Sequence, residues 1–205
     1  MSKVLVTESY LTDIGNAIRS KNNSTDKYKP SEMAGAINDI TTQGKTQDNT
    51  VINSILDRSI SGNYVNDDLP EIGDYAFSKC VKLTSATFKK ATKVGDSAFF
   101  GCDLLESISL PEVKEIKPSA FCYCPLKSIS MPKIEILSDD SSYWGVFNVY
   151  CKMTTINIPS TIKSIGKNAF GSNEITTINI DKPADSISGA PWGATNATVN
   201  WTGTM

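Results

Sequence analysis

From about residue 69 onward, apolar and polar positions recur in one order, and part of each recurrence alternates strictly. Ser107-Ile108-Ser109-Leu110, Ser128-Ile129-Ser130-Met131, Thr155-Ile156-Asn157-Ile158 and Thr177-Ile178-Asn179-Ile180 all read polar, apolar, polar, apolar. A period of two predicts a half-buried strand, with Ile, Leu and Met inward and Ser, Thr and Asn outward. In four of the copies an Ala-Phe pair stands ahead of the strand, at 76/77, 98/99, 120/121 and 169/170. Its ring is expected to enter the core from the opposite side. The longer phrase is IGDYAFSKCVKLTSATF at Ile72–Phe88 and VGDSAFFGCDLLESISL at Val94–Leu110. Versions of it follow at Ile116–Met131 and Ile165–Ile180, with a stretched one at Leu137–Ile158 and a worn one at Ile187–Trp201, where Trp192 takes the Phe place. The last apolar residues fall at 88, 110, 131, 158, 180 and 201, in steps of 22, 21, 27, 22 and 21.

A repeat of that length with apolar residues at fixed offsets is the mark of a leucine-rich-repeat solenoid. One coil cannot bury its own apolar side, so the coils must stack, their strands pairing in parallel about 4.8 Å apart. The fold expected is an α+β solenoid with a parallel β-sheet face, preceded by a small helical N-terminal segment. Its divisions are residues 1–48 (segment and linker), 49–68 (cap) and 69–205 (about six repeats). The pattern I-G-x-x-A-F-x-x-C-x-x-L-x-x-I-x-L, running from about Leu69 to Trp201, resembles the BspA-type leucine-rich repeat. The fourth copy departs from it by lacking Ala-Phe, and the last by lacking Cys and Leu. The resemblance implies a surface-exposed binding or adhesion module of the kind found in bacteria and their viruses.

The front of the chain has a different rhythm. Leu11, Ile14, Ala17 and Ile18 share one helical face, as do Met33, Ile37 and Ile40, with Pro30 suited to a first helical turn. Two short amphipathic helices alone would be marginal, so they need the solenoid or another chain to cover them. The stretch LTDIGNAIRSKNNSTDKYKPSEMAGAINDI, through Leu11, Thr12, Ile14, Ala17, Ile18, Arg19, Lys21, Pro30, Met33, Ile37 and Ile40, also resembles a segment of virion proteins of phages infecting Gram-positive bacteria. That resemblance implies a docking or assembly element, other virion proteins as partners, and a homo-oligomer, a trimer by analogy with phage fibres. Residues 41–50 read as a linker. Gly44-Lys45-Thr46 is no phosphate loop, because the motif would need Gly where Asp39 stands, after a strand. A short helix through Ile52, Ile55 and Leu56 and a capping strand near Ile60–Val65 are expected to cover the first coil.

Composition narrows the chemistry. The 205 residues carry a formal net charge of −2, which gives no electrostatic reason to expect nucleic acid or an anionic membrane as partner. No apolar run is long enough to span a bilayer. The opening MSKVLVTESYLTDIG lacks the apolar core of a secretory signal, so the expectation is a protein made in the host cytoplasm and located on the virion. Histidine is absent, which removes Ser-His-Asp and Cys-His catalysis and the commonest zinc ligand. Cys80, Cys102 and Cys124 each follow the Phe of their copy by three residues, and Cys151 holds the matching place, so a buried column of thiols is expected. Cys122 and Cys124 are too closely spaced to chelate well. No cofactor or metal is expected, the Asp139-Asp140 pair being a weak calcium set, and no residue set recommends an enzyme.

Two surfaces remain as binding candidates, for a host-surface glycan or protein. One is the outward face of the sheet, with columns Ser85, Ser107, Ser128, Thr155, Thr177, Thr198 and Thr87, Ser109, Ser130, Asn157, Asn179, Asn200. These small residues also suit a solvated parallel sheet with no ligand at all. The other is the extra length of the fourth copy, which gathers Tyr143, Trp144, Phe147 and Tyr150; Trp144 or Phe147 is expected to fill the missing core position. A cell-derived bacterial surface adhesion module is the alternative to a virion protein.

Overall fold

The computed structural model describes residues 55–138, 145–147, 150–171 and 174–204. The chain divides into two units, Met1–Asn53 and Ser54–Met205, and every described residue belongs to the second. The helices expected around Leu11–Ile18 and Met33–Ile40 lie outside the described residues, as does the start of the one through Ile52.

Among the described residues there are eleven strands: β1 Ser61–Asn66, β2 Lys82–Phe88, β3 Lys93–Val94, β4 Ser107–Ser109, β5 Glu115–Ile116, β6 Ser128–Ser130, β7 Ile136–Leu137, β8 Thr155–Ile158, β9 Ser164–Ile165, β10 Thr177–Ile180 and β11 Thr198–Trp201. All pair in parallel, in the orders β1-β2-β4-β6, β8-β10-β11 and β3-β5-β7-β9. Among the described residues the only helical feature is a turn at 55–56. The α+β reading is therefore corrected, for this part of the chain, to a parallel β-solenoid.

Inward positions fill the core as the alternation demands. Ala86, Ile108, Ile156 and Ile178 are buried beneath the main sheet, and Phe88, Leu110, Met131, Ile158 and Ile180 close each strand inside. On the far side Phe77, Phe99, Phe121, Phe147 and Phe170 stack ring on ring, with centroids 5.1, 5.4, 5.5 and 6.0 Å apart and interplanar angles of 7–16°. Trp192 ends the column edge-on at 80°, its indole N–H donating to the Ser188 carbonyl at 2.7 Å. At the front, Tyr64 packs on Phe77 and Phe88, so β1 is the expected cap, placed within a residue of its predicted position.

Two features differ from expectation. Each of the middle coils carries a second strand of only two residues, and these form their own four-stranded sheet with Val94, Ile116, Leu137 and Ile165 turned inward. The main sheet, expected to run unbroken, divides between β6 and β8, where the coil-to-coil step lengthens. Contact there persists through the Lys152 N–H to Leu126 carbonyl bond at 2.9 Å, and the second sheet and the Phe column cross the same point without interruption.

Charged pairs tie neighbouring coils along the outside: Lys89–Asp67 at 2.8 Å, Lys90–Asp68 at 2.7 Å, Lys127–Glu106 at 2.7 Å and Lys133–Glu112 at 2.6 Å. Each is solvent-exposed and screened, so it adds little to stability. The partners stand 21 or 22 residues apart, one coil, which makes register their more useful product.

Candidate functional site

The outward face of β1, β2, β4 and β6 brings together the first polar columns. Asn63, Ser85, Ser107 and Ser128 align in register, and so do Thr87, Ser109 and Ser130 behind Val65 of β1. They line a shallow depression of about 370 Å³. Beside Ala86, Ile108 and Ile129, its lining consists of hydroxyls and the Asn63 amide, whose Oδ1 accepts from Ser85 Oγ at 2.8 Å. These groups can hydrogen-bond a ligand, and none ionises near neutral pH.

Beyond the break, Thr155, Thr177 and Thr198 align, and Asn157, Asn179 and Asn200 form a ladder. Asn179 Nδ2 donates to Asn157 Oδ1 at 2.8 Å, and Asn200 Nδ2 donates to Asn179 Oδ1 at 2.9 Å. The Asn179 amide is thus committed on both sides to the stack. This geometry weakens the ligand-binding reading of the three Asn residues and favours a structural one.

The predicted thiol column is present. All five cysteines are free and buried, and Cys102 and Cys124 Sγ donate to the Phe77 and Phe99 carbonyls at 3.1 and 3.0 Å. Burial pushes Cys80 and Cys151 up to about 11 and raises Cys124 as well. Thiols held protonated in this way are poor nucleophiles and poor metal ligands. Among the described residues no cluster of three or more His, Cys, Asp or Glu side chains stands within reach of one metal ion. Asp139 and Asp140 lie outside those residues.

The aromatic candidates of the fourth copy separate. Phe147 is fully buried between Phe121 and Phe170, so its candidacy as a ligand contact is corrected: it is the core ring of its coil. Tyr150 is 61% exposed. Tyr143 and Trp144, and the docking candidates Leu11, Ile14, Ile18, Met33, Ile37 and Ile40, lie outside the described residues.

Tyr150 belongs to a strip that sequence reasoning did not find. Its ring lies 5.6 Å from that of Tyr123, which lies 5.2 Å from that of Phe100, and Lys79 Nζ sits 5.1 Å over the Phe100 ring. The four residues run along the turns that follow the core Phe residues. Lys79, Tyr123 and Tyr150 take φ values of 63°, 59° and 70° there, and Gly101 takes 69°. A second left-handed position precedes the core ring, at Tyr75, Ser97 and Ser119. The turns around Phe77, Phe99 and Phe121 therefore hold a left-handed residue on either flank, whatever side chain the sequence supplies. The backbone between is held by the next coil, as in Phe77 N–H to Ala98 O at 2.7 Å and Phe99 N–H to Ala120 O at 2.9 Å.

Comparison with known proteins agrees with this architecture. The model of the BspA-type leucine-rich-repeat region matches residues 70–192 in six copies. Among solved structures, the crystal structure of a T. pallidum leucine-rich-repeat protein (TpLRR) is similar, with a TM-score of 0.56 and 24% identity over 69% of each chain. At that identity the likeness is one of fold. No curated protein matches the chain. A repeat solenoid of this type is suited to protein binding or adhesion, because stacked coils offer a long, regular exterior around a filled core.

Proposed function

The chain belongs to the BspA-type leucine-rich-repeat family, and on that premise we propose that it is a non-enzymatic structural and adhesion protein of a bacteriophage particle. Residues 1–48 dock onto other virion proteins and assemble the chain into a homo-oligomer, with a trimer as the form expected by analogy with phage fibres. The solenoid then faces outward to meet a glycan or protein on the host surface. What supports this reading is the resemblance of Leu11 to Ile40 to a phage virion segment, in a chain whose solenoid has an interior filled by apolar side chains. A filled core supports binding over catalysis. The depression on the sheet face is shallow and lined by groups that hydrogen-bond without exchanging protons near pH 7.

Deleting residues 1–48 tests the docking half. Purified particles are expected to lose the solenoid, detected by immunoblot; solenoid retained at the full level would refute docking through this segment. The second reading, a bacterial cell-surface adhesion module, is favoured by the family's repeat itself. It predicts the protein in bacterial wall fractions and not in particles.

A further inference from the structure

Resting on the binding reading above, we infer that the strip Lys79–Phe100–Tyr123–Tyr150 is a contact line for a linear glycan lying along the solenoid axis. Three observations bear on it. The rings follow one another at 5.2 and 5.6 Å, the rise of one coil, so they offer a repeating ligand a repeating contact. Tyr123 and Tyr150 hold left-handed φ where the equivalent turn residue of the second coil is Gly101. A side chain in that region is strained and glycine is not, so the site tolerates glycine and the rings can be removed there without backbone cost. Gly101 and Cys122, the turn residues between the rings, are buried, which gives the strip a filled floor.

That shape decides the ligand class. A protein hot spot needs a desolvated pocket for an anchoring side chain. A sugar needs accessible aromatic surface for its C–H groups and a hydroxyl at the rim, and Tyr150 at the exposed end of the strip carries both. Lys79 at one end adds a cation able to meet an acidic sugar.

The full chain is titrated by calorimetry with cellohexaose, chitohexaose and a hyaluronan hexasaccharide. At least one is expected to bind, and Tyr123→Gly/Tyr150→Gly should weaken that binding at least tenfold. The same variant should keep or raise its urea midpoint, because glycine relieves the left-handed strain. Ser107→Ala/Ser109→Ala, on the sheet face, reports whether the sugar sits in the depression instead. Failure of all three sugars to bind, or loss on the serine substitutions with retention on the tyrosine ones, overturns the inference. Adhesion of labelled protein to host cells separates it from the reading beneath. Equal adhesion by the tyrosine variant sinks the strip alone, whereas no adhesion by the wild type sinks both.

Discussion

Phe121 sits at the middle of the ring column, fully buried and stacked on Phe99 at 5.4 Å and on Phe147 at 5.5 Å. Replacing it with alanine removes the largest apolar group of its coil and leaves a cavity that its neighbours cannot close without breaking their own stacks. Phe121→Ala should cost about 3–5 kcal/mol, read from urea unfolding. The thiols make a prediction of opposite sensitivity. Cys80 and Cys151 are raised to about 11 from an ordinary value of 9.0, because burial disfavours the thiolate. An unfolded chain ionises them first, so their contribution is complete below pH 9, declines between pH 9 and 11, and is gone above. The urea midpoint should fall across that window under reducing conditions, and Cys80→Ala/Cys151→Ala should flatten the slope while being less stable at pH 7. Rings and thiols were legible in the sequence because they recur at a constant offset, Phe first and Cys three residues later. The aromatic strip was not. Phe100, Tyr123 and Tyr150 follow their core rings by one, two and three residues, so no column of an aligned repeat contains them; only the folded turns bring them together.

At the scale of elements, the long main strands were legible and the short ones were not. Three or four alternating residues display a period of two, as Thr177–Ile180 does, whereas Lys93–Val94 or Glu115–Ile116 cannot display any. The break between β6 and β8 was also hidden, since spacing reveals extra residues in the fourth copy without saying which pairing they cost. Gly145 shows how tightly the coils meet nearby. A Cβ there would fall 1.7 Å from the Asn168 carbonyl oxygen, and the Gly145 carbonyl itself receives the Ser119 N–H at 3.1 Å. Gly145→Ala must push backbone against backbone, and is expected to destabilise by roughly 1–3 kcal/mol in urea. The Asn ladder is the milder case. Asn179→Ala breaks one donated and one accepted hydrogen bond on an accessible face, so about 0.5–1.5 kcal/mol per bond is the upper range expected.

For the solenoid as a whole, contacts run almost entirely between adjacent coils, as its strand orders and its Phe column both show. Stability in such a stack is approximately a sum of coil and interface terms, and the ends decide whether the middle is protected. The two ends are built differently. β1 covers the first coil with six strand residues and Tyr64. The last coil relies on Trp192, set edge-on to Phe170 and to Trp201, with centroids 6.3 and 6.1 Å away. Trp192→Ala uncovers Phe170 and removes the ring on which Trp201 rests. In a globular core such a change would lower protection everywhere; here the loss should be graded along the axis. Hydrogen exchange of the variant should accelerate most at β10 and β11, less at β8, and least at β2 and β4, where no neighbour has been disturbed. Uniform acceleration across all coils would mean that the stack unfolds as one unit, and the nearest-neighbour account of its stability would then be wrong.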